Sequence, residues 1–302
     1  MIRNLFVIGV LLLTVGLNKG YTQKAKPVIR FGLMADTQYA DAEPGGSRFY
    51  RNSLEKVKEC VDSLNSRKVQ FTINLGDVID RDRADLDSVM FYLNGLDHKL
   101  YSTTGNHDYK GVTDNRILFE RLGMPAEYYF FKKKNWVFVF LNTNEVAPYS
   151  NIAGTAKEKE LKAMYARIKA TGGKQGARWN GGVSARQLEW LEQLLKQSGK
   201  AGNQVLIFCH HPLYPQTAFV ALNNKEILEV IGRYTCVKAV FCGHHHTGGF
   251  GYFRNIPVVT VEGMIETRDQ NAFGIVEIYP DKIVVEGKGR MTSRTLEWNN
   301  SF

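Results

Sequence analysis

The chain has 302 residues, 44% of them hydrophobic and 12% aromatic, with a formal charge of +9. That composition excludes a disordered or fibrous chain and supplies a substantial core for one large domain or two small ones. The basic balance favours anionic partners, but no long basic groove with interleaved aromatics marks a nucleic-acid binder.

Arg3 precedes an apolar run from Leu5 to Leu17, 13 residues where a membrane span needs about 20. The run fits a secretory signal peptide over residues 1–22, with Gly20 and Thr22 as the small residues expected near a cleavage site. Its removal takes away Arg3 and Lys19 and no acidic residue. Residues 23–302 then read as one domain with a secreted or periplasmic address and no stable membrane span. Cys60, Cys209, Cys236 and Cys242 show no C-x-x-C spacing, and Cys209 and Cys242 end strand-like runs where a buried thiol is the simpler reading.

Val28 to Met34 reads as a strand that delivers Asp36 and Gln38 into a loop, two oxygen donors on one side of an extended chain. Ser47 to Ser66 predicts an amphipathic helix, with Leu54, Val57, Val61 and Leu64 on one face. The next strand, from Gln70 to Leu75, ends at Gly76, where a sharp turn brings Asp77 to the carboxyl edge of the sheet. Asp80 either supports that site or closes a surface turn. After a helix over Leu86 to Leu96, the strand Lys99 to Thr103 ends in Gly105, Asn106, His107 and Asp108. An amide, an imidazole and a carboxylate crowded behind a glycine point to chemistry more than to a turn.

Glu127 to Phe131 and Trp136 to Leu141 predict paired strands joined by a turn at Lys132 to Lys134. Residues 142–183 form a looser insertion with a polar helix over Ala156 to Lys169, the kind of sheet-edge segment that carries specificity. Tyr149, Trp179 and Asn180 are its exposed-loop candidates for holding a base or sugar. Ser184 N-caps a helix, and the strand Gln204 to Cys209 ends in His210, His211 and Pro212. A helix over Asn223 to Tyr234 and a strand over Val237 to Cys242 lead through Gly243 to His244, His245 and His246; in an extended segment His244 and His246 share a face. Ile256 to Glu262, Ala272 to Tyr279 and Lys282 to Glu286 predict further strands.

Asp36, Gln38, Asp77, Asn106, His210, His244 and His246 therefore each follow a predicted strand. Oxygen and imidazole donors without thiolate favour manganese, iron or zinc, and the oxygen content weakens the case for zinc alone. Seven donors suffice for two ions sharing one carboxylate.

The order D-x-Q, G-D-x-x-D, G-N-H-D, H-x-P and G-H-x-H resembles the calcineurin-like metallophosphoesterases. That resemblance implies an α/β fold, a four-layer α-β-β-α sandwich with two mixed β-sheets. It also implies Asp36, Gln38 and His246 on one metal, Asn106, His210 and His244 on the other, and Asp77 between them, with His107 as proton donor or transition-state clamp oriented by Asp108. Gln38 stands where most of the superfamily has His. With Val261 to Thr267, Ala272 to Arg290, Arg48 to Arg51 and Trp179 to Gly182, it resembles the manganese-dependent ADP-ribose/CDP-alcohol diphosphatases. This narrower likeness implies two manganese ions, a small nucleotide diphosphate substrate, and Arg48, Tyr50 and Arg51 as substrate-binding residues. The alternatives are a phosphomonoesterase or cyclic-nucleotide phosphodiesterase on the same centre, and a silent module that binds phosphorylated envelope components.

Overall fold

The computed structural model describes residues 26–298, so the expected signal peptide lies outside the described residues. The chain first lays down β1 (Ile29–Met34), β2 (Thr72–Asn74) and β3 (Leu100–Ser102) as parallel neighbours. The crossovers carry α1 (Ser53–Ser66) and α2 (Asp85–Leu93). In β1, Phe31 faces the second sheet while Gly32 faces α1, so closely that a Cβ there would stand 2.7 Å from Leu64 Cδ1. The first helix is shorter than its hydrophobic spacing predicts. Residues 47–52 are instead drawn into bridges that pair Arg48 with Gly45 and Glu266, which holds Arg48 beside the strand ends.

A short helix follows, α3 (Asn115–Arg121), capped by the Asp114 side chain and absent from the periodicity-based expectation. The second sheet begins with the hairpin β4 (Tyr129–Lys133) and β5 (Trp136–Phe140), which turns at Lys134 and Asn135; Lys132 and Lys133, expected in the turn, stay paired in β4. Then come α4 (Ala156–Ala170), α5 (Ala185–Lys200), β6 (Gln204–Cys209), α6 (Asn224–Ile231) and β7 (Val237–Cys242). The strand β8 (Thr247–Phe253) is an edge strand antiparallel to β9 (Ile256–Glu262). Its Gly-rich start and lone partner explain why alternation did not reveal it. The chain then returns to the first sheet with β10 (Ala272–Ile278), β11 (Lys282–Gly289) and β12 (Arg294–Glu297).

The sheets run β12-β11-β10-β1-β2-β3 and β4-β5-β6-β7-β9-β8, both mixed. Between them, Phe31, Phe138, Phe208 and Phe241 form an aromatic layer, with Phe31 edge-on to Phe138 at 5.8 Å and Phe208 stacked on Phe241 at 5.6 Å. The alternate residues Val137, Val139, Val205, Ile207 and Val240 face Leu191, Leu195 and Ile227 of α5 and α6. This period of two along β5, β6 and β7 sorts one core from the other and yields the four-layer sandwich. Truncating Phe138 would remove about 3–5 kcal/mol, since it touches Phe31, Phe71 and Phe208 at once. The parallel strands point their carboxyl ends at one rim, where the candidate donors gather. All four cysteines are buried free thiols. Among the described residues, no helix is long and apolar enough to cross a membrane.

Candidate metal centre

The loops that follow β1, β2 and β7 hold their donors in backbone conformations that most side chains avoid. Asp36, Gln38, Asp77 and His244 have φ of 54°, 43°, 53° and 68°, all in the left-handed region. Such strain persists only where surroundings over-determine it. Here the Asp36 and Gln38 N–H groups donate to the Gly76 and Asp77 carbonyls at 3.0 and 2.8 Å, and the His244 N–H donates to both Asp36 oxygens at 3.1 Å. Gly76 has φ +93° and packs against the backbone of Gly105, where a Cβ would lie 2.3 Å from the Gly105 nitrogen.

The donors themselves are buried. With His210 Nδ1 against the Leu75 carbonyl at 2.8 Å, its N–H belongs there, so Nε2 carries the lone pair. That nitrogen stands 3.2 Å from Asn106 Oδ1 and 3.4 Å from Asp77 Oδ2. Three acceptors facing one another repel unless a proton or a cation sits among them. His246 repeats the pattern: Nδ1 donates to Glu266 Oε1 at 2.8 Å, leaving Nε2 3.7 Å from Asp36 Oδ1. Gln38 donates through Nε2 to Asp77 Oδ2 at 2.8 Å, while its buried Oε1 has no partner among the described residues. Asp36, Asp77 and His246 form one group whose ligand atoms lie within 4.8 Å of one another. An orphaned amide oxygen and converging lone pairs fit divalent cations.

Proton energetics agree. Burial opposes charge on His210, but the Asp77 carboxylate outweighs it and raises the imidazole to about 9. Burial likewise works against the Asp77 carboxylate, yet His210 and His107 hold it well below its ordinary value. A divalent ion would take the place of that extra proton. Burial and His211 together push His244 well down, so its ring is neutral. For Glu266, the hydrogen bond from His246 is the main cause that lowers it to about 2.

His210, His211 and His244 form a second cluster with ligand-like spacing. However, His211 spends Nδ1 on Thr143 Oγ1 at 2.9 Å, and its Nε2 faces either the Trp179 carbonyl as a donor at 3.2 Å or the Gly181 N–H as an acceptor at 3.3 Å. Both ring nitrogens are occupied by protein, so it supports the centre without a free lone pair.

The expectations for Asp108 and Asn180 change. Asp108 does not orient His107: its carboxylate accepts the N–H groups of Asp77, Val78, Ile79 and Gly105 at 2.7–3.3 Å, which staples the two loops together. Burial, then the Asp77 charge, pushes it up to about 7. The partner of His107 is Asp80, whose carbonyl and Oδ1 lie 3.0 and 3.1 Å from Nδ1, and Asp80 also meets Arg48 Nη1 at 3.5 Å. Asn180 is not exposed at all; it is fully buried and its amide faces His244 Nε2 at 3.1 Å.

Beside the donors lies a cavity of about 560 Å³ lined by Gln38, Asp77, Asn106, His107, His244 and His246. Its outer wall holds Arg48, Lys110 and Arg178 with Tyr149, Trp179 and Phe219. Trp179 is 51% exposed, and the Tyr149 hydroxyl donates to Asn144 Oδ1 at 2.8 Å. Tyr50 and Arg51 are not in this wall. Tyr50 is buried beneath Arg81, and Arg51 turns outward to Asp41 and Glu43 at 2.5 Å each. Sequence reasoning missed Lys110, Arg178 and Phe219 in the wall and Glu266 behind His246. Arg178 adjoins Trp179 in the insertion and Glu266 lies in the Val261 to Thr267 segment, so both lay within reach; Phe219 carried no signal.

The calcineurin-like phosphoesterase profile matches residues 29–248, the interval that supplies every one of the seven donors. The chain belongs to this family. It is a metal-dependent hydrolase of that fold. Curated relatives match over about nine-tenths of this chain. The manganese-dependent ADP-ribose/CDP-alcohol diphosphatase of Bos taurus is 29% identical over 92% of this chain and 96% of its own length. The protein of the same name from Oryza sativa subsp. japonica is 29% identical over 91% and 96%. Among solved structures, a dimetal phosphatase from Danio rerio superposes with a TM-score of 0.84 at 27% identity, covering 91% of this chain and 100% of that one.

Proposed function

We propose that the protein hydrolyses the diphosphate of ADP-ribose or of CDP-alcohols such as CDP-choline, giving a nucleoside monophosphate and a phosphorylated sugar or alcohol. What carries the reading is that relatives bearing this activity in their names match over more than nine-tenths of both chains. The cavity supports it, because Arg48, Lys110 and Arg178 offer charge to two phosphates and Trp179 offers a face to a base.

Asp36, Gln38 and His246 would hold one ion, Asn106, His210 and His244 the other, and Asp77 both; the hard donor set suits manganese. Ions there would supply Lewis acidity and lower the pKa of bound water. The remaining work falls to side chains. Asp80 accepts the Nδ1–H of His107, so it is the doubly protonated ring that can pass its Nε2 proton to the departing phosphate oxygen. Arg48, braced by Asp80, can neutralise the phosphate that leaves. Glu266 and Leu75 fix which nitrogen of His246 and His210 presents a lone pair.

Product analysis tests the reaction. ADP-ribose should give AMP and ribose 5-phosphate in equal amounts; release of inorganic phosphate as the first product would overturn the proposal. We also propose the extracytoplasmic address read from residues 1–22, checked by N-terminal sequencing of protein expressed in its native host, where an N-terminus at Met1 counts against it.

A further inference from the structure

The insertion that forms the cavity wall also reaches the metal ligands. Asn180 Nδ2 donates to the Gln175 carbonyl at 2.8 Å and to the Ala218 carbonyl at 2.7 Å. Both of its protons are thereby used, so the amide orientation is fixed and Oδ1 must be the atom 3.1 Å from His244 Nε2. An amide oxygen only accepts. His244 Nε2 must therefore bear the proton, and in a neutral imidazole the lone pair then lies on Nδ1. One residue earlier, the Trp179 carbonyl lies 3.2 Å from His211 Nε2, while the Trp179 ring stands at the cavity mouth. Gly181 closes the segment down, since a Cβ there would meet the Thr143 carbonyl at 2.4 Å.

We propose that Asn180 is a positioning residue for the metal centre, which sets the His244 tautomer so that Nδ1 is the atom offered to an ion. The segment 179–181 thus joins the substrate wall to one ligand and to no other: among the described residues the hydrogen bonds of Asn180 run to Gln175, Ala218, Ala177 and His244 alone. Only the ion shared by Asn106, His210 and His244 should feel its loss. The inference rests on the two-ion reading of the centre and is independent of the substrate.

Two measurements test it on the full chain. Imidazole ¹⁵N shifts of metal-free, histidine-labelled protein should show His244 as the Nε2–H tautomer; the Nδ1–H tautomer would overturn the inference without any variant. Manganese titration, followed by the paramagnetic signal of free Mn²⁺, should find two ions on the wild type. In Asn180→Ala one of them should weaken about 10- to 100-fold with the other unchanged. Unchanged affinities in Asn180→Ala, or equal weakening of both ions, would refute it. A wild type that binds no manganese would instead sink the two-ion reading itself.

Discussion

Gly105 is the residue whose change bears most directly on how the centre is built. A Cβ there would lie 2.1 Å from Asp77 Oδ1 and 2.2 Å from the Asp77 nitrogen; the nitrogen is backbone, and the oxygen is held by the His107 N–H. Relief requires the loop after β3 to retreat from the loop after β2 by about 1 Å, a displacement that costs about 10²-fold when it moves reacting groups. The retreat also strains the His107 N–H bond to Asp77 Oδ1 and the Gly105 N–H bond to Asp108 Oδ2, both 2.8 Å. Overpacking of this kind destabilises by about 1–3 kcal/mol. Gly105→Ala should therefore lower kcat/KM for a diphosphate substrate about 100-fold and reduce urea stability by that amount. Gly199→Ala is the control, because its Cβ meets only Cys236 Sγ at 3.9 Å, far from the donors. Full activity and unchanged stability in Gly105→Ala would refute the reasoning that these loops are packed backbone on backbone.

The reassigned carboxylates separate by readout. Asp80→Asn should lower kcat about 10- to 100-fold with manganese stoichiometry intact, whereas Asp108→Asn turns an acceptor toward backbone N–H groups into a donor and should cost about 1–3 kcal/mol in a denaturation curve. Lys56 gives a pH signature. It is 4% exposed, donates to the Met264, Glu266 and Thr267 carbonyls, and is lowered to about 8 from 10.5, by burial first and Arg290 second. Between those two values the unfolded chain binds the extra proton, so the penalty for burying this charge fades as pH rises from 8 toward 10.5. Relative to Lys56→Met, wild-type stability should rise across that window; a flat or falling difference in melting temperature would exclude it. Trp179→Ala should raise KM by about 5- to 150-fold, the 1–3 kcal/mol of one stacked base, without altering manganese affinity. Equal KM values for variant and wild type would remove the ring from the binding wall.

Much of the centre was legible because each donor sits where a strand pattern breaks. The strands ending at Met34, Asn74, Ser102, Cys209 and Cys242 are apolar and β-branched or aromatic, and the polar residue after each break has little reason to be there except for the rim it reaches. Pairings across loops were not legible. Asp108 follows His107 in the chain and Asp80 lies 27 positions away, yet the parallel register of β2 with β3 brings Asp80 to the imidazole and leaves Asp108 under the turn. Asn180 reads as a polar loop residue beside an exposed Trp; only the fold reveals the two carbonyls that bury it. Tyr50 and Arg51 share a segment with Arg48, but the bridge between Arg48 and Glu266 turns Arg48 inward and Arg51 outward. Glu266 stands in a segment that the sequence singles out, but its hydrogen bond to His246 is made only by the fold.

Relative rates on a substrate panel bear most directly on the central claim. Manganese-loaded full-length protein should show a higher kcat/KM for ADP-ribose and CDP-choline than for a cyclic nucleotide or a chromogenic phosphate monoester. Faster turnover of the monoester than of both diphosphates would contradict it.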